Sequence, residues 1–149
     1  RGYVTNVSED EIIIGERKQV TLSHSIYFKY NMTKLASFSI IARHYNTNLI
    51  HNRFYELQDD GSLGTSNYDG EHDFSIQFFN IDAVLQYQFR PGSYLTLVWK
   101  NSAEHSQTID NKKQPDYGNQ LDKILSAAKD NLFSVKMVYF LNGAKYLKR

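Results

Sequence analysis

The chain has 149 residues, and 17 Lys and Arg against 16 Asp and Glu leave a formal net charge of +1. This balance gives no basic footprint for nucleic acid, and the absence of cysteine excludes disulfides and thiolate metal sites. No apolar run reaches the roughly 18 residues of a membrane helix. A transmembrane β-barrel stays possible, because alternation dilutes its apolar residues. Aromatic residues make up 14% of the chain, although its mean hydropathy is -0.53.

Alternating apolar and polar residues predict about six strands. In chain order they cover 2–7, 20–30, 36–43, 79–90, 94–100 and 133–141. The clearest is 79–90, where Ala83, Leu85 and Tyr87 fall on an apolar face and Asp82 and Gln86 on the other. The second and fourth strands exceed the roughly 5–6 residues usual in globular proteins. They match the roughly 9–11 residues of a membrane-spanning strand.

The predicted connections alternate in length. Tight turns fall at 31–34 and 90–93, whereas long loops are predicted at 46–73 and 101–130. Leu121, Ile124, Leu125 and Ala128 have helical spacing and predict a short amphipathic helix within the second loop. Outer-membrane barrels have short periplasmic turns and long external loops. The predicted fold class is therefore all-β, an antiparallel up-and-down transmembrane β-barrel segment.

Most charges inside the predicted strands share their polar faces. Charge that faces lipid is costly, whereas a barrel lumen is polar, so we expect these side chains to point inward. The predicted lumen-facing residues are Lys29, Arg43, Asp82, Gln86, Gln88, Arg90, Lys100 and Lys136. They would either influence which solutes enter the lumen or pair with each other and brace it.

No catalytic, cofactor or metal site is predicted. The five histidines form no HxxxH or HExxH pair, and a zinc site needs convergent ligands. Asp82 is the only acidic residue inside a predicted strand, whereas glycoside hydrolysis needs two carboxylates. No GxSxG, Walker or GxGxxG motif is present. We therefore expect a non-enzymatic protein.

Three segments resemble a known family. They are EDEIIIGERKQVTLSHSIYFKYNMTKLASFSIIARHY, FNIDAVLQYQFRPGSYLTLVWKNS and FSVKMVYFLN. They are similar to a Bacteroidetes outer-membrane family with an N-terminal carbohydrate-binding family 9-like domain and a C-terminal β-barrel of unknown function. The resemblance implies that residues 1–149 are the C-terminal part of such a barrel, with a link to glycans.

About six strands cannot close a membrane barrel, which needs at least about eight. The first residue is Arg1 rather than Met, so we interpret the chain as a fragment or a processed product. The expected partners are the lipid bilayer of the bacterial outer membrane, the remaining barrel strands or another outer-membrane chain, and a glycan. We expect no nucleic acid and no cofactor.

The predicted function is a porin-like channel or a structural subunit of an outer-membrane complex, linked to glycan handling. The alternative is a soluble ligand- or carbohydrate-binding β-barrel or β-sandwich module. In that module the apolar faces would point inward and the polar faces outward.

Overall fold

The structure is a computed structural model that describes residues 2–6, 11–110 and 113–141. These residues form seven strands and one helix. The elements are β1 Gly2–Asn6, β2 Ile12–Asn31, β3 Ala36–Leu57, β4 Leu63–Thr65, β5 Phe74–Arg90, β6 Ser93–Thr108, α1 Tyr117–Ser126 and β7 Lys129–Val138.

The strands make one antiparallel sheet in the order β1-β2-β3-β5-β6-β7, with β4 paired to β3. Each strand on this path lies beside its neighbours in the chain, apart from the short β4 hairpin, so the connectivity is an up-and-down meander. The predicted all-β antiparallel class is confirmed. The sheet is open, with β1 and β7 at the ends of the strand order.

The long loops predicted at 46–73 and 101–130 are wrong in extent. β3 continues to Leu57, β4 lies within the first segment, and β6 continues to Thr108. Polar residues occupy both faces of these strand ends, so the alternation of apolar and polar residues disappears from the sequence. The predicted helix within 101–130 is confirmed as α1, although it ends at Ser126 and Ala128 therefore lies outside it. It begins after Asp116, whose side chain accepts a hydrogen bond from Asn119 N at 3.1 Å.

The ends of the chain differ from the prediction by a few residues. The last strand, predicted at 133–141, is β7 and ends at Val138. The first strand is confirmed over Gly2–Asn6, and residue 7 lies outside the described residues. The tight turn at 90–93 is also confirmed, since Gly92 has a φ of 75°. A type II turn requires this positive φ at its third residue.

The chain divides into two compact units. The first unit comprises the described residues of Arg1–Ser23, Tyr45–Phe78 and Glu104–Ala127, and the second those of His24–His44, Phe79–Ala103 and Ala128–Arg149. Buried apolar side chains in the first unit are Ile13, Leu49, Ile109 and Ile124. Among the described residues, no helix has the length and apolar character needed to cross a membrane.

Candidate membrane-facing surface and polar face

The strands of the second unit carry an apolar face. Its centre is an open depression of about 390 Å³ that β3, β5, β6 and β7 line together. The side chains of the apolar face around this depression are Phe38, Ile40, Ala83, Leu85, Leu97, Trp99, Phe133 and Val135. Successive side chains of a strand point to opposite faces. The spacing of these residues therefore confirms that the predicted alternation becomes a face of the sheet.

Cross-strand pairs make this apolar face continuous. In the register of β6 with β7, Leu97 lies opposite Val135 and Trp99 opposite Phe133. The rings of Trp99 and Phe133 stack with their centroids 6.4 Å apart and their planes 17° apart. The Trp99 indole Nε1 also donates a hydrogen bond to Asn131 Oδ1 at 3.0 Å. The large aromatic side chains are thus held in place on an otherwise open surface.

Many large apolar side chains of the second unit are exposed. Ile26 is 68% exposed, Phe133 75%, Val135 69% and Met137 66%. Isolated exposed apolar residues are normal in soluble proteins, whereas large contiguous apolar patches mark interaction or membrane surfaces. Phe133, Val135 and Met137 follow one another at every second position of β7, and Ile26 lies on β2, so the exposed apolar residues are found on two strands that are not neighbours in the sheet.

The opposite face of the second unit carries an ion-pair group. An Arg43 guanidinium nitrogen lies 2.6 Å from Asp82 Oδ2, and Lys100 Nζ lies 3.8 Å from Asp82 Oδ1. Three of the predicted lumen-facing residues, on β3, β5 and β6, therefore come together around one carboxylate. The side chain of Asp82 is only 26% exposed, whereas both cationic side chains are about half exposed. The group thus leaves one net positive charge on the polar face.

The other predicted lumen-facing residues do not join this group. Gln86 and Gln88 line a separate groove of about 500 Å³ near the 31–34 turn, together with Tyr94. Lys29 is exposed, and Lys136 is exposed opposite Thr96 of β6.

Arg90 has an aromatic partner. A guanidinium nitrogen donates a hydrogen bond to the Tyr139 hydroxyl at 2.5 Å. The Tyr139 ring also stacks near Phe89, with a centroid distance of 6.2 Å. Sequence alternation would place Arg90 and Tyr139 on opposite faces. Arg90 is the last residue of β5, and Tyr139 follows the end of β7 at Val138, so the contact joins the ends of two strands.

A buried cluster of neutral polar side chains lies in the first unit. Gln120 of α1 is 1% exposed and hydrogen-bonds to Asn46 and Asn48 of β3 and to Ser75 of β5. Gln77 lies two residues after Ser75 on the same strand and is fully buried. Buried polar groups of this kind are normally hydrogen-bonded. The sequence pattern does not reveal this cluster, because both β3 residues and Gln120 fall in segments that are predicted as loops.

A second buried polar contact of the first unit joins His51 and Asp73. Asp73 Oδ1 accepts a hydrogen bond from the His51 backbone N–H at 2.7 Å and lies 3.0 Å from the ring Nδ1. The rings of Phe54 and His72 pack against His51, and the ring of Tyr68 packs against both of them. Among the described residues, no group of three or more His, Cys, Asp or Glu side chains could hold a metal ion.

Comparison with known proteins identifies the family. The family model described as "Domain of unknown function (DUF5916)" matches residues 1–148. The chain belongs to the DUF5916 family. No curated protein and no solved structure matches the chain.

In this DUF5916 chain the alternation predicts a shared face for Arg43, Asp82 and Lys100, which meet in the structure, but it gives no prediction for the buried polar residues of the first unit. The signal for the first unit is present but weak. Asn46 and Asn48, like Ser75 and Gln77, are polar residues two positions apart, the spacing of one strand face. A polar residue repeated with this spacing is compatible with a loop as well as with a strand that another element covers.

Proposed function

We propose that this chain forms the C-terminal strands of a bacterial outer-membrane β-barrel that is not an enzyme. The apolar face of the second unit would contact lipid, and the polar face would line the lumen. The observation that carries the proposal is the pairing of two opposite surfaces on the same strands. One exposes large apolar side chains, and the other holds the group Arg43, Asp82 and Lys100.

Solvation of the backbone and of the apolar side chains favours a membrane environment for the second unit. Lipid cannot hydrogen-bond to peptide groups, so a spanning sheet must pair all its strands within the protein. Lipid does favour exposed apolar side chains such as Phe133 and Val135, which water does not. In a soluble module the apolar faces would be covered, whereas Leu97, Phe133 and Val135 of the apolar face are exposed in the structure. This difference supports the membrane over the soluble alternative.

Strand length also supports a membrane barrel. β2, β3, β5 and β6 contain 20, 22, 17 and 16 residues. A spanning strand needs roughly 9–11 residues, and strands in globular proteins rarely exceed about 10. Each of these strands is therefore long enough to cross a bilayer and to continue beyond it.

The polar face suits a lumen. Asp82 compensates part of the charge of Arg43 and Lys100, which lowers the cost of collecting charges on one face. A channel lined in this way would be weakly selective for anions, because one net positive charge remains. If the protein is a structural subunit instead of a channel, side chains of the polar face would fill the lumen, and the same ion pairs would brace it. The glycan link and an N-terminal carbohydrate-binding family 9-like domain belong to this proposal through the family resemblance.

The proposal requires further strands. Membrane barrels have at least about eight strands, and the described sheet has seven, one of them only three residues long. Every residue of β7 is exposed, and the strand order places β6 on one side of it only. Either the remaining strands of the same barrel or another outer-membrane chain would pair with this edge.

A charge-scanning pair on β5 tests the proposal. Leu85 lies on the apolar face and its neighbour Gln86 on the opposite face, so each variant is the control for the other. Arginine at a lipid-facing midplane position costs roughly 2–4 kcal/mol, whereas lumen positions tolerate charge. We therefore expect Leu85→Arg to abolish membrane assembly of the full chain and Gln86→Arg to leave it unchanged. Protection from protease in isolated outer membranes measures assembly.

Equal tolerance of both arginines would contradict the assignment of faces.

Fractionation distinguishes the membrane proposal from the soluble alternative. The full chain should sediment with membranes after alkaline washing and be released by detergent. A chain that is freely soluble without detergent would overturn the membrane proposal and favour the soluble binding module.

A further inference from the structure

The buried cluster beneath α1 satisfies every hydrogen-bonding position of one chemical group, the side-chain carboxamide of Gln120. Gln120 Oε1 accepts hydrogen bonds from Asn46 Nδ2 at 2.7 Å and from Asn48 Nδ2 at 3.4 Å. Gln120 Nε2 donates to Asn48 Oδ1 at 2.8 Å and to Ser75 Oγ at 2.7 Å. A primary carboxamide has two N–H donors and an oxygen with two lone pairs. All four of these hydrogen-bonding positions are therefore occupied by side chains of β3 and β5.

The cluster also holds more hydrogen-bonding groups than the anchoring of α1 uses. Gln77 is fully buried, and neither atom of its amide has a hydrogen-bond partner among the described residues. Asn46 Oδ1 is buried and, within the same residues, also has no hydrogen-bond partner. An unpaired buried polar group is costly, and such groups often mark a functional requirement. Gln77 follows Ser75 on the same face of β5, so it extends the polar surface next to the carboxamide position.

The helix that covers this surface has few apolar contacts. α1 has ten residues, and Gln120 and Ile124 are its buried ones. Short helices are marginal alone, so these contacts hold α1 in place. If α1 moved away, Ile124 would lose apolar burial, but the amides and the Ser75 hydroxyl would regain hydrogen bonds from water. Opening of α1 therefore costs much less than exposure of an apolar surface of the same size.

We propose that Asn46, Asn48 and Ser75 form a binding site for a primary carboxamide and that α1 is its lid. Gln120 occupies the site when the lid is closed. The natural ligand would be an asparagine or glutamine side chain presented by a peptide, and Gln77 would contact its neighbouring polar groups. The cluster contains no charged side chain, which favours a neutral ligand over a carboxylate. The inference is independent of the membrane proposal, because it rests on hydrogen bonds within the first unit alone.

Small amides test the site on the unchanged full chain, in detergent if its isolation requires detergent. Propionamide reproduces the end of a glutamine side chain, N,N-dimethylpropionamide lacks its N–H donors, and propionate replaces the amide with a charge. Hydrogen exchange of the α1 backbone amides reports lid opening. We expect propionamide to accelerate this exchange at least twofold, because it competes with Gln120 for the site. The two control compounds should leave the exchange unchanged.

A variant gives a second test. In the unchanged chain propionamide should open α1, whereas in the variant it should stabilise the protein. In Gln120→Ala the carboxamide of the lid is gone, so propionamide should fill its place and raise the thermal midpoint of unfolding. The matched control is Gln114→Ala, which removes an exposed glutamine from the same connection and should show no response. Equal effects of the three compounds on the unchanged chain would overturn the proposal. If Gln120→Ala does not fold, the hydrogen-exchange experiment on the unchanged chain still tests the proposed carboxamide site.

Discussion

The two compact units use the same long strands in opposite ways. Along β3, residues 36–44 of the second unit place apolar side chains such as Phe38 and Ile40 on an open face. Residues 45–57 of the first unit instead bury polar side chains such as Asn46, Asn48 and His51. Apolar side chains that are left exposed indicate an apolar environment. Polar side chains that are buried must hydrogen-bond within the unit, so their positions depend on their partners.

The largest effect in this comparison is expected at the buried pair of the first unit. Asp73→Ala removes the acceptor of the His51 backbone N–H, which lies 2.7 Å from Asp73 Oδ1. A buried donor without a partner costs roughly 1–3 kcal/mol. We expect the free energy of unfolding to fall by about 3 kcal/mol, measured by denaturant titration. Asp69→Ala removes an exposed carboxylate nearby and is the control.

A loss no greater than that of Asp69→Ala would show that the His51 contact does not stabilise the first unit. Asp73→Asn keeps an acceptor oxygen and should restore most of the lost stability.

Packing around the same histidine gives the next effect. A Cβ atom at Gly15 would lie 2.6 Å from His51 Cδ2 and 2.6 Å from Val4 Cγ2. Forcing extra volume into a packed site costs typically about 1–3 kcal/mol. We expect Gly15→Ala to lower the free energy of unfolding by about 2 kcal/mol in the same titration. An unchanged stability would contradict the close approach of β2 to the His51 ring.

The second unit should lose less stability from the loss of an aromatic side chain. Phe133→Ala removes the ring that stacks on Trp99, and such pairs contribute about 0.5–1.5 kcal/mol. We expect a loss of about 1 kcal/mol and a change in Trp99 fluorescence. Leu132→Ala on the opposite face, 58% exposed, is the control. Equal responses of the two variants would mean that stacking does not order the apolar face.

The smallest effect is expected at the ion pairs of the polar face. Asp82→Asn removes the partner of Arg43 and Lys100, but both cations are about half exposed. Exposed ion pairs are worth about 0–1 kcal/mol and are screened by salt. We expect a loss of at most about 1 kcal/mol that becomes smaller as salt is added, whereas Asp59→Asn in an exposed turn should change nothing. A loss independent of salt would indicate a more buried pair.

The predictability of the two units differs for a physical reason. In the second unit, one environment faces each side of the sheet, so period-two alternation reveals strands and faces directly. The alternation predicts Ala83 and Leu85 on the apolar face, and the structure confirms it. In the first unit, β3 has buried polar residues on successive positions, such as Asn46, Thr47 and Asn48. No alternation remains there, and the strand looks like a loop.

The sequence by itself determined the all-β class, the long strands of the second unit, the Gly92 turn and the presence of α1. These features depend on local pattern and backbone conformation, which neighbouring residues specify. Only the tertiary structure decided that Arg43, Asp82 and Lys100 meet and that Tyr139 reaches Arg90. It also decided that Gln120 is buried and hydrogen-bonded to side chains of β3 and β5. Each of these contacts joins residues far apart in the chain, and a hydrogen bond forms only where the fold brings donor and acceptor within about 3 Å.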